Sequence, residues 1–445
     1  MLNDVDLEHR GPPSSEHHRR DFSNEARRSG VHPVAITDIA RYAHLTDVDI
    51  DSLSCELDAI RRDIEDQRGE RDSRYIHRII AVQRGLELGA RAVLLGSRRK
   101  PIWLVGTSML ACSKILENME LGHNISHGQW DWMNDPEIHS NSWEWDQVGP
   151  SSQWKRAHNY SHHVYTNIVG MDDDIGFGIL RMTRDVEWRP VNLIQPLANV
   201  VLATTFEWGI ARHDLDAQKR MDVERHPGTD VSRIGKSEAS RTFWRKIGKQ
   251  MGKDFVLFPA LTGRAWKTTL TANASANLIR NLWAYAVIFC GHFPDGAEKF
   301  TMAEYESETR QQWYLRQMLG SANFRAGPLM ALMSGNLCYQ IEHHLFPDLP
   351  SNRYPEIAER VEALCEKFDL PYTTGSLPRQ YWLALRTIHK LALPDSLLSR
   401  TSDDAPETSS EQRFGLADPR ETTVEAASPR HGLKAAIGAL RSAHR

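Results

Sequence analysis

The chain has 445 residues, enough for one large core or for roughly two to three ordinary domains. Its 54 basic and 58 acidic side chains leave a net charge of −4, which excludes the strong basic excess typical of nucleic-acid-binding proteins, so we expect no nucleic-acid partner. Its five cysteines are scattered without a Cys-x-x-Cys pair, and we expect neither a disulfide framework nor an iron–sulfur cluster bound by the chain itself.

The N-terminal region, residues 1–75, is polar. Its start is polar and acidic and shows no signal peptide, and residues 1–35 are rich in Pro, Ser, His and Arg, a composition typical of disordered chain. Further on, apolar residues recur at helical spacing among charged ones, from Ile50 to Ile60. We therefore predict an amphipathic helix at about residues 45–70 with one buried face.

Four apolar runs follow, each close to the roughly 20 residues needed to cross a bilayer. Each contains at least one charged residue, and the mean hydropathy of −0.50 favours a soluble protein with buried helices. Two features favour a membrane protein instead. Charged residues within apolar membrane spans tend to face a functional interior, and five tryptophans between residues 130 and 154 are typical of a membrane–water interface. The pattern leaves both architectures open for the runs at residues 79–97, 102–121, 191–211 and 270–291.

The segment at residues 212–253 is strongly charged, with eleven Lys or Arg against six Asp or Glu. The positive-inside rule places such a loop on the cytoplasmic side of a membrane. If the runs on either side each crossed once, however, the loop would lie opposite the histidines at residues 123–163, so the topology stays open. Residues 376–445 are rich in Ser, Thr, Asp, Glu and Pro, and we expect this C-terminal extension to be largely disordered.

Three short motifs are rich in histidine: HNISHGQW at residues 123–130, HNYSHH at 158–163 and QIEHH at 340–344. On an α-helix, side chains four residues apart share one face. The spacing therefore predicts that His123 and His127 point the same way, and that His158 and His162 do so beside His163. Imidazole suits iron, copper, zinc and nickel, so the ligand type alone does not choose the metal.

The third motif extends backwards along the same predicted helical face. Asn336, Gln340 and His344 are four residues apart and His343 lies beside them, so one face offers two imidazoles and two amides. A further candidate is His292, which lies at the end of an apolar run, as His123 of the first motif does. The candidate metal ligands are thus eight histidines: His123, His127, His158, His162, His163, His292, His343 and His344.

Eight neutral imidazoles suit two metal ions with about four nitrogens each. A structural zinc site is closed by four ligands that are usually rich in cysteine, and a hydrolytic zinc site of the His-Glu-x-x-His type is absent from the sequence. Oxygen-activating non-haem iron matches a nitrogen-rich helical site beside apolar segments better. We expect the carboxylates of Glu120 and Glu342 to orient the imidazoles, and leave Asp172–Asp174 open between that role and a surface one.

The motifs and their flanking residues, across residues 100–375, resemble the membrane fatty acid desaturases. The segments ENMELGHNISHGQWDWMNDPEIH, HNYSHHVYTNIVGMDDDIG, FCGHFPDG and GNLCYQIEHHLFPDLP are similar to actinobacterial acyl-CoA desaturases of the stearoyl-CoA delta-9 type. This resemblance implies an all-α fold, an integral membrane helical bundle whose cytoplasmic helical cap holds a di-iron site. Residues 76–375 would form that desaturase core.

The reaction that the resemblance implies uses O2 and two electrons to place a cis double bond in a fatty acyl chain. The expected substrate is an acyl-CoA, and the expected position is C9. The resemblance assigns the eight histidines as ligands of two iron ions and places Asn336, Gln340 and Glu120 beside them. The third family motif is usually His-x-x-His-His, and Gln340 replaces its first histidine. No cytochrome b5 domain is evident, so electrons would come from a separate NAD(P)H-dependent reductase or a ferredoxin.

The resemblance also implies a multi-pass protein of the cell membrane, in contact with membrane lipid and with its active site facing the cytoplasm. Two alternatives stay open. The same di-iron chemistry serves hydroxylases and ketolases that act on fatty acids, alkanes or carotenoids. A histidine-rich membrane protein that binds metal without catalysis would also satisfy the pattern.

Overall fold

The structure is a computed structural model that describes residues 44–225, 238–294, 296–300, 302, 305 and 308–397. Over these residues the chain is mostly helical, as predicted, and it also contains a short parallel sheet that an all-α fold does not include. Strand β1 (Asn323–Arg325) pairs with β2 (Thr374–Ser376). The side chain of Asn323 accepts a hydrogen bond from the backbone N–H of Ile341 at 2.9 Å, so the sheet anchors the third histidine motif.

Ten helices of ten or more residues form the framework of the described chain. They are α1 Asp47–Asp66, α2 Glu70–Leu94, α3 Lys100–Leu116, α4 Gln195–Thr204, α5 Phe206–Arg225, α6 Glu238–Met251, α7 Trp266–His292, α8 Arg310–Leu319, α9 Tyr354–Lys367 and α10 Leu377–Leu391. Shorter α-helical segments are Asn124–Ser126, Ser151–Lys155, Phe258–Leu261, Pro328–Met333 and Gln340–Leu345. The π-helical segments are Glu117–His123, Arg156–His162 and Gly252–Leu257. The 3-10 turns are Asp131–Met133, Ile175–Gly178, Pro190–Ile194, Gly263–Ala265, Ser351–Arg353 and Asp395–Leu397.

The predicted amphipathic helix is confirmed as α1. Thr46 caps its first turn, because its hydroxyl accepts from the backbone N–H of Asp49 while the Asp49 carboxylate accepts from the backbone N–H of Thr46. The apolar stripe that includes Leu53 and Leu57 is buried in one cluster with Ile341 of the third histidine motif. Residues 1–35, where we predict disorder, lie outside the described residues.

Helices α3 and α7 pack side by side through small residues. Ala111 of α3 lies in one buried cluster with Ala272 and Ala276 of α7, and small side chains allow helix axes to approach closely. His123 follows the end of α3 through a π-helical turn, and His292 is the last residue of α7. The helix pair therefore supports two of the candidate ligands.

The apolar run at residues 191–211, whose architecture the sequence left open, is not one helix. A 3-10 turn at Pro190–Ile194 precedes α4, and Thr205, with φ −114° and ψ 30°, separates α4 from α5. Among the helices of the described residues, none combines the length and apolarity required to cross a membrane.

The C-terminal extension begins with an ordered element. Helix α10 packs Ala384 and Ile388 into the cluster that contains Phe289 and Phe293 of the α7 region. The prediction of a largely disordered extension from residue 376 therefore starts too early, because α10 has its own buried apolar face. The chain beyond residue 397 lies outside the described residues.

Candidate metal centre

The first two histidine motifs are presented by π-helical turns rather than by the predicted regular α-helix. The turn Glu117–His123 continues α3, and Arg156–His162 continues the short helix Ser151–Lys155. A π-helical turn adds a residue to the helical repeat and occurs often at functional sites. The rings of His123 and His127 nevertheless lie together, edge to face, with centroids 4.6 Å apart.

The third motif lies on a short buried helix, Gln340–Leu345, that begins after a left-handed turn. Gly335 and Asn336 have φ values of 67° and 57°, so Asn336 does not share a helical face with Gln340, and that prediction is wrong. A Cβ at Gly335 would overlap the backbone of Met119 in the first π-helical turn. The turn therefore needs glycine to bring the third motif against the first.

The structure brings all eight predicted histidines into one buried cluster. Their nitrogens form three groups in which the possible ligand atoms lie within 4.8 Å of one another. His158 and His162 each belong to two groups, so the cluster is continuous. The groups are His123, His127, His158 and His343; His158, His162 and His163; and His162, His292 and His344.

The free nitrogens of this cluster fit metal ions. The Nε2 atoms of five of these histidines are buried without a hydrogen-bond partner. Both ring nitrogens of His163 are also buried and lack a partner. Burial lowers the pKa of His123 to about 3 and holds the pKa values of His127 and His343 well below their ordinary value, so these rings stay neutral and keep a lone pair. The five free Nε2 atoms belong to His127, His158, His162, His343 and His344.

Polar side chains that surround the cluster form hydrogen bonds with the Nδ1 atoms of several of its imidazoles. This arrangement fixes the tautomer and directs Nε2 toward a metal ion. The Nδ1 atom of His158 lies 3.0 Å from Asp174, and that of His162 lies 3.0 Å from Asp172. The other pairs are His343 with the Tyr354 hydroxyl at 3.1 Å, His344 with Gln317 at 3.1 Å and His123 with Asn124 at 2.9 Å. Asp172 and Asp174 therefore orient imidazoles, which resolves their open assignment.

Glu120 and Glu342 do not orient imidazoles in the described residues, contrary to our expectation. Glu120 accepts hydrogen bonds from Tyr75 at 2.8 Å and from Asn336 at 3.1 Å. Glu342 accepts from Asn323 at 2.9 Å and from the Tyr372 hydroxyl at 2.9 Å. Both carboxylates point to the elements that pack behind the motifs, so they connect those elements to the cluster.

Gln340 contacts a predicted ligand. Its Nε2 atom lies 3.1 Å from Nε2 of His292, which leaves Nδ1 of His292 and the Gln340 carbonyl oxygen buried without partners. A side chain at Gly291 would approach Gln340 to 2.7 Å, so the glycine allows this contact. The amide thus lies at the cluster, where it can position His292 or offer an oxygen to a metal ion.

The tryptophan-rich segment is packed inside the protein, contrary to its predicted place at a membrane–water interface. Trp130, Trp145 and Trp154 are buried. The ring of Trp154 stacks on His158 with centroids 4.4 Å apart and also contacts His123 at 5.3 Å. Trp145 and Trp154 line the histidine cluster, whereas Trp130 packs in a separate apolar cluster with Ile76.

A cavity of about 60 Å³ adjoins the cluster and reaches His123, His158, His162 and His292. Burial raises the pKa of the Asp214 carboxyl in its wall well above the ordinary value. The apolar part of the wall consists of Met119, Phe177, Phe206, Ile210, Ile288 and Phe293.

Sequence reasoning missed several of these groups because no local pattern marks them. His213 is a lone histidine in a charged segment, yet its Nε2 lies 3.2 Å from Asp174. Burial lowers the pKa of His213, but the hydrogen bond and charge of Asp174 outweigh it and raise that pKa to about 9. Tyr354 and Gln317 also come from distant helices, and only the fold brings them to the imidazoles.

Residues 101–376 match the family model described as fatty acid desaturase. The chain is 54% identical over 417 residues to the NADPH-dependent stearoyl-CoA 9-desaturase of Mycobacterium tuberculosis, and the alignment covers 93% of this chain and 96% of that protein. It is 25% identical over 279 residues to the sn-1 linoleoyl-lipid 6-desaturase of Synechocystis sp., covering 61% of this chain and 75% of that protein. It is 26% identical over 235 residues to the acyl-lipid (7-3)-desaturase of Rebecca salina, covering 51% of this chain and 50% of that protein.

Proposed function

Because the chain belongs to the fatty acid desaturase family, we propose that it desaturates an acyl-CoA, with a stearoyl chain as substrate and the cis double bond placed at C9. In the balanced reaction, O2, two electrons and two protons, together with two hydrogens from adjacent methylenes, yield two molecules of water and the alkene. We base this on one observation above all, the convergence of eight buried imidazoles beside a largely apolar cavity. The identity with a stearoyl-CoA 9-desaturase supports the substrate and the position.

We propose two iron ions as the cofactor. His123, His127, His158 and His343 would hold one ion, and His162, His292 and His344 would contribute to the other, with His163 between the two groups. Nitrogen-rich ligand sets suit iron, and bound iron supplies the redox chemistry with O2 that a side chain cannot perform on an unactivated methylene. The unpartnered Nε2 atoms support this assignment.

The residues of the chain would position the substrate and the ligands. Phe177, Phe206 and Ile288 offer an apolar wall along which an acyl chain excludes water. Asp172 and Asp174 hold two imidazoles by their Nδ1 atoms and keep the Nε2 atoms directed inward. A fixed substrate in a dry cavity limits which pair of methylenes lies next to the cluster.

The electrons would come from NADPH through a separate redox protein. The Mycobacterium tuberculosis relative is described as NADPH-dependent, and nearly all of its length aligns with this chain. A desaturase turnover consumes two electrons, which is the number that one NADPH supplies. A reductase or ferredoxin-type protein would carry them to the iron.

We further propose that the protein associates with the cell membrane, with the metal centre on the cytoplasmic side where NADPH is available. Large apolar side chains are exposed on several elements that pack around α7. Exposed apolar surface of this extent marks interaction with a partner or a lipid phase. These side chains include Leu104, Val105, Leu197, Leu261, Ile279 and Leu282. Flotation of the expressed chain with lipid vesicles tests this, and recovery in the lipid-free fraction without detergent would contradict it.

The test of function uses the purified, iron-loaded full chain with stearoyl-CoA, NADPH, O2 and a ferredoxin with its reductase. We expect a cis-9 unsaturated product, identified by mass spectrometry after derivatisation of the double bond. His162→Ala removes a ligand shared by two groups and should abolish the product and lower the iron content. His389→Ala, at an exposed histidine of α10, is the matched control and should retain both. A hydroxylated product, or no dependence on His162, would overturn the proposal.

A further inference from the structure

A surface cleft lined by arginine lies on the side of α2. Arg71, Arg74 and Arg78 are three and four residues apart, so they share one face of the helix, and all three are exposed. The cleft has a volume of about 490 Å³, and no carboxylate side chain lines it. We call it the arginine cleft; its lining is completed by Tyr75, Ile79 and Asn352.

The positive charge of this cleft is only weakly neutralised. Arg74 lies 3.3 Å from Glu70, and both side chains are well exposed, so water competes with this pair. Arg71 lies 3.7 Å from Glu356, whose carboxylate also pairs with Arg353 at 2.7 Å. Among the described residues, no carboxylate lies within ion-pair distance of Arg78. The cleft therefore offers guanidinium groups to an anionic partner, and guanidinium pairs with carboxylate through two parallel hydrogen bonds.

Two pairs of hydrogen bonds, joined by the backbone between Gly335 and Asn336, lead from the cleft to the metal centre. The hydroxyl of Tyr75, at the cleft wall, donates to Glu120 at 2.8 Å, and Glu120 also accepts from Asn336 at 3.1 Å. Beside Asn336, the carbonyl of Gly335 accepts from the Asn124 amide at 3.1 Å. The Asn124 oxygen in turn lies 2.9 Å from Nδ1 of His123. Each of these inner groups is buried, so the path is shielded from solvent.

The arginine cleft is distinct from the cavity proposed for the acyl chain. The two share no lining residue, and the path from the cleft reaches His123, which the cavity also contacts. The cluster thus has two separate approaches, one with an apolar wall and one with a basic wall. A desaturase needs two partners at its centre, an acyl chain and an electron donor, and the basic approach suits the second.

We propose that the arginine cleft is the docking surface for the electron donor, a redox protein with an acidic face. This inference rests on the proposed desaturase function. The donor is oxidised and delivers two electrons for each O2 reduced, and the contacts from Tyr75 to His123 offer them a route to the cluster. Opposite charges would steer the encounter and raise the association rate, an effect that salt screens.

The test compares two double charge reversals in the full, iron-loaded chain. Arg74→Glu with Arg78→Glu reverses charge in the cleft, whereas Arg62→Glu with Arg379→Glu reverses charge at exposed arginines of α1 and α10. The donor is an acidic [2Fe–2S] ferredoxin recycled by NADPH and its reductase, and the rate is measured against donor concentration at low and high salt. We expect kcat/KM for the donor to fall about tenfold or more in the cleft variant, with a weaker salt dependence, and to stay unchanged in the control.

Two further measurements separate the possible outcomes. Dithionite with a small mediator bypasses docking, so the cleft variant should then turn over like the wild type with an unchanged KM for stearoyl-CoA. An equal loss in the control, no loss at all, a loss with dithionite or a raised KM for stearoyl-CoA would each overturn the docking proposal. If the wild type forms no alkene with dithionite, the desaturase function fails instead. Direct binding of the same ferredoxin to wild type and variants then still decides the docking surface.

Discussion

The Nε2 atom of His213 lies 3.2 Å from one carboxylate oxygen of Asp174, and the other oxygen lies 3.0 Å from Nδ1 of His158. Asp174 thus connects a helix of the framework, α5, to a candidate metal ligand. All three side chains are largely buried, so their mutual orientation is held with little competition from water.

Replacement of Asp174 by Asn should weaken metal binding because the neutral amide holds the Nδ1–H of the neutral His158 ring less firmly than the carboxylate does. We expect iron affinity to fall about 10–100-fold, as is usual for partners of ligating histidines. Competition with a chelator measures this affinity. The matched control is Asp173→Asn, since Asp173 is next in sequence but pairs with Arg220 at the surface at 2.8 Å. Equal losses in both variants would contradict the role of Asp174.

His213→Gln should reduce stability in a pH-dependent way. The pKa of His213 is raised from its ordinary value of 6.5 to about 9 in the folded chain, so its contribution is complete below about pH 6.5 and is lost as the pH rises through 9. The shift corresponds to about 3 kcal/mol at most. Thermal melting from pH 6 to pH 10 should show the wild type more stable than the variant at pH 6, with the difference closing above pH 9. A difference independent of pH would contradict the ion pair.

Gly335→Ala should separate the third histidine motif from the first. A Cβ there meets the backbone of Met119, and the φ of 67° is strained for any residue with a side chain. Strain of this kind costs about 1–3 kcal/mol, and we expect a lower melting temperature together with a lower iron content. Gly327→Ala is the control, because nothing lies within 4 Å of the Cβ position and its φ is −77°. The two variants behaving alike would argue against the close approach.

Ala284→Leu should narrow the cavity beside the cluster. Ala284 is buried in the cavity wall, and a larger side chain takes space that we assign to the acyl chain. We expect kcat/KM for stearoyl-CoA to fall more than that for a shorter acyl-CoA, at a stability cost of about 1–3 kcal/mol. Ala81→Leu, at an exposed position of α2, is the control. Equal losses for long and short substrates would show that the cavity does not receive the chain.

The sequence is sufficient to identify the eight histidines of the candidate site. Their clustering in three motifs, with His292 at the end of an apolar run, is a local feature that survives without knowledge of the fold. The helix α1 was predictable for the same reason, since the spacing of Leu53 and Leu57 reflects a single helical repeat. Both predictions rest on short-range periodicity.

The tertiary structure alone decided how those histidines are oriented and what lies behind them. The π-helical turns and the left-handed Gly335–Asn336 turn depend on close packing between segments more than 200 residues apart, which no local spacing encodes. The contact of Asp174 with His213 and the link from Tyr75 to Glu120 also join residues from different elements, which no local spacing predicts. Ligand identity follows from residue type and local spacing, whereas tautomer, access and partner surfaces follow from contacts that exist only once distant helices pack together.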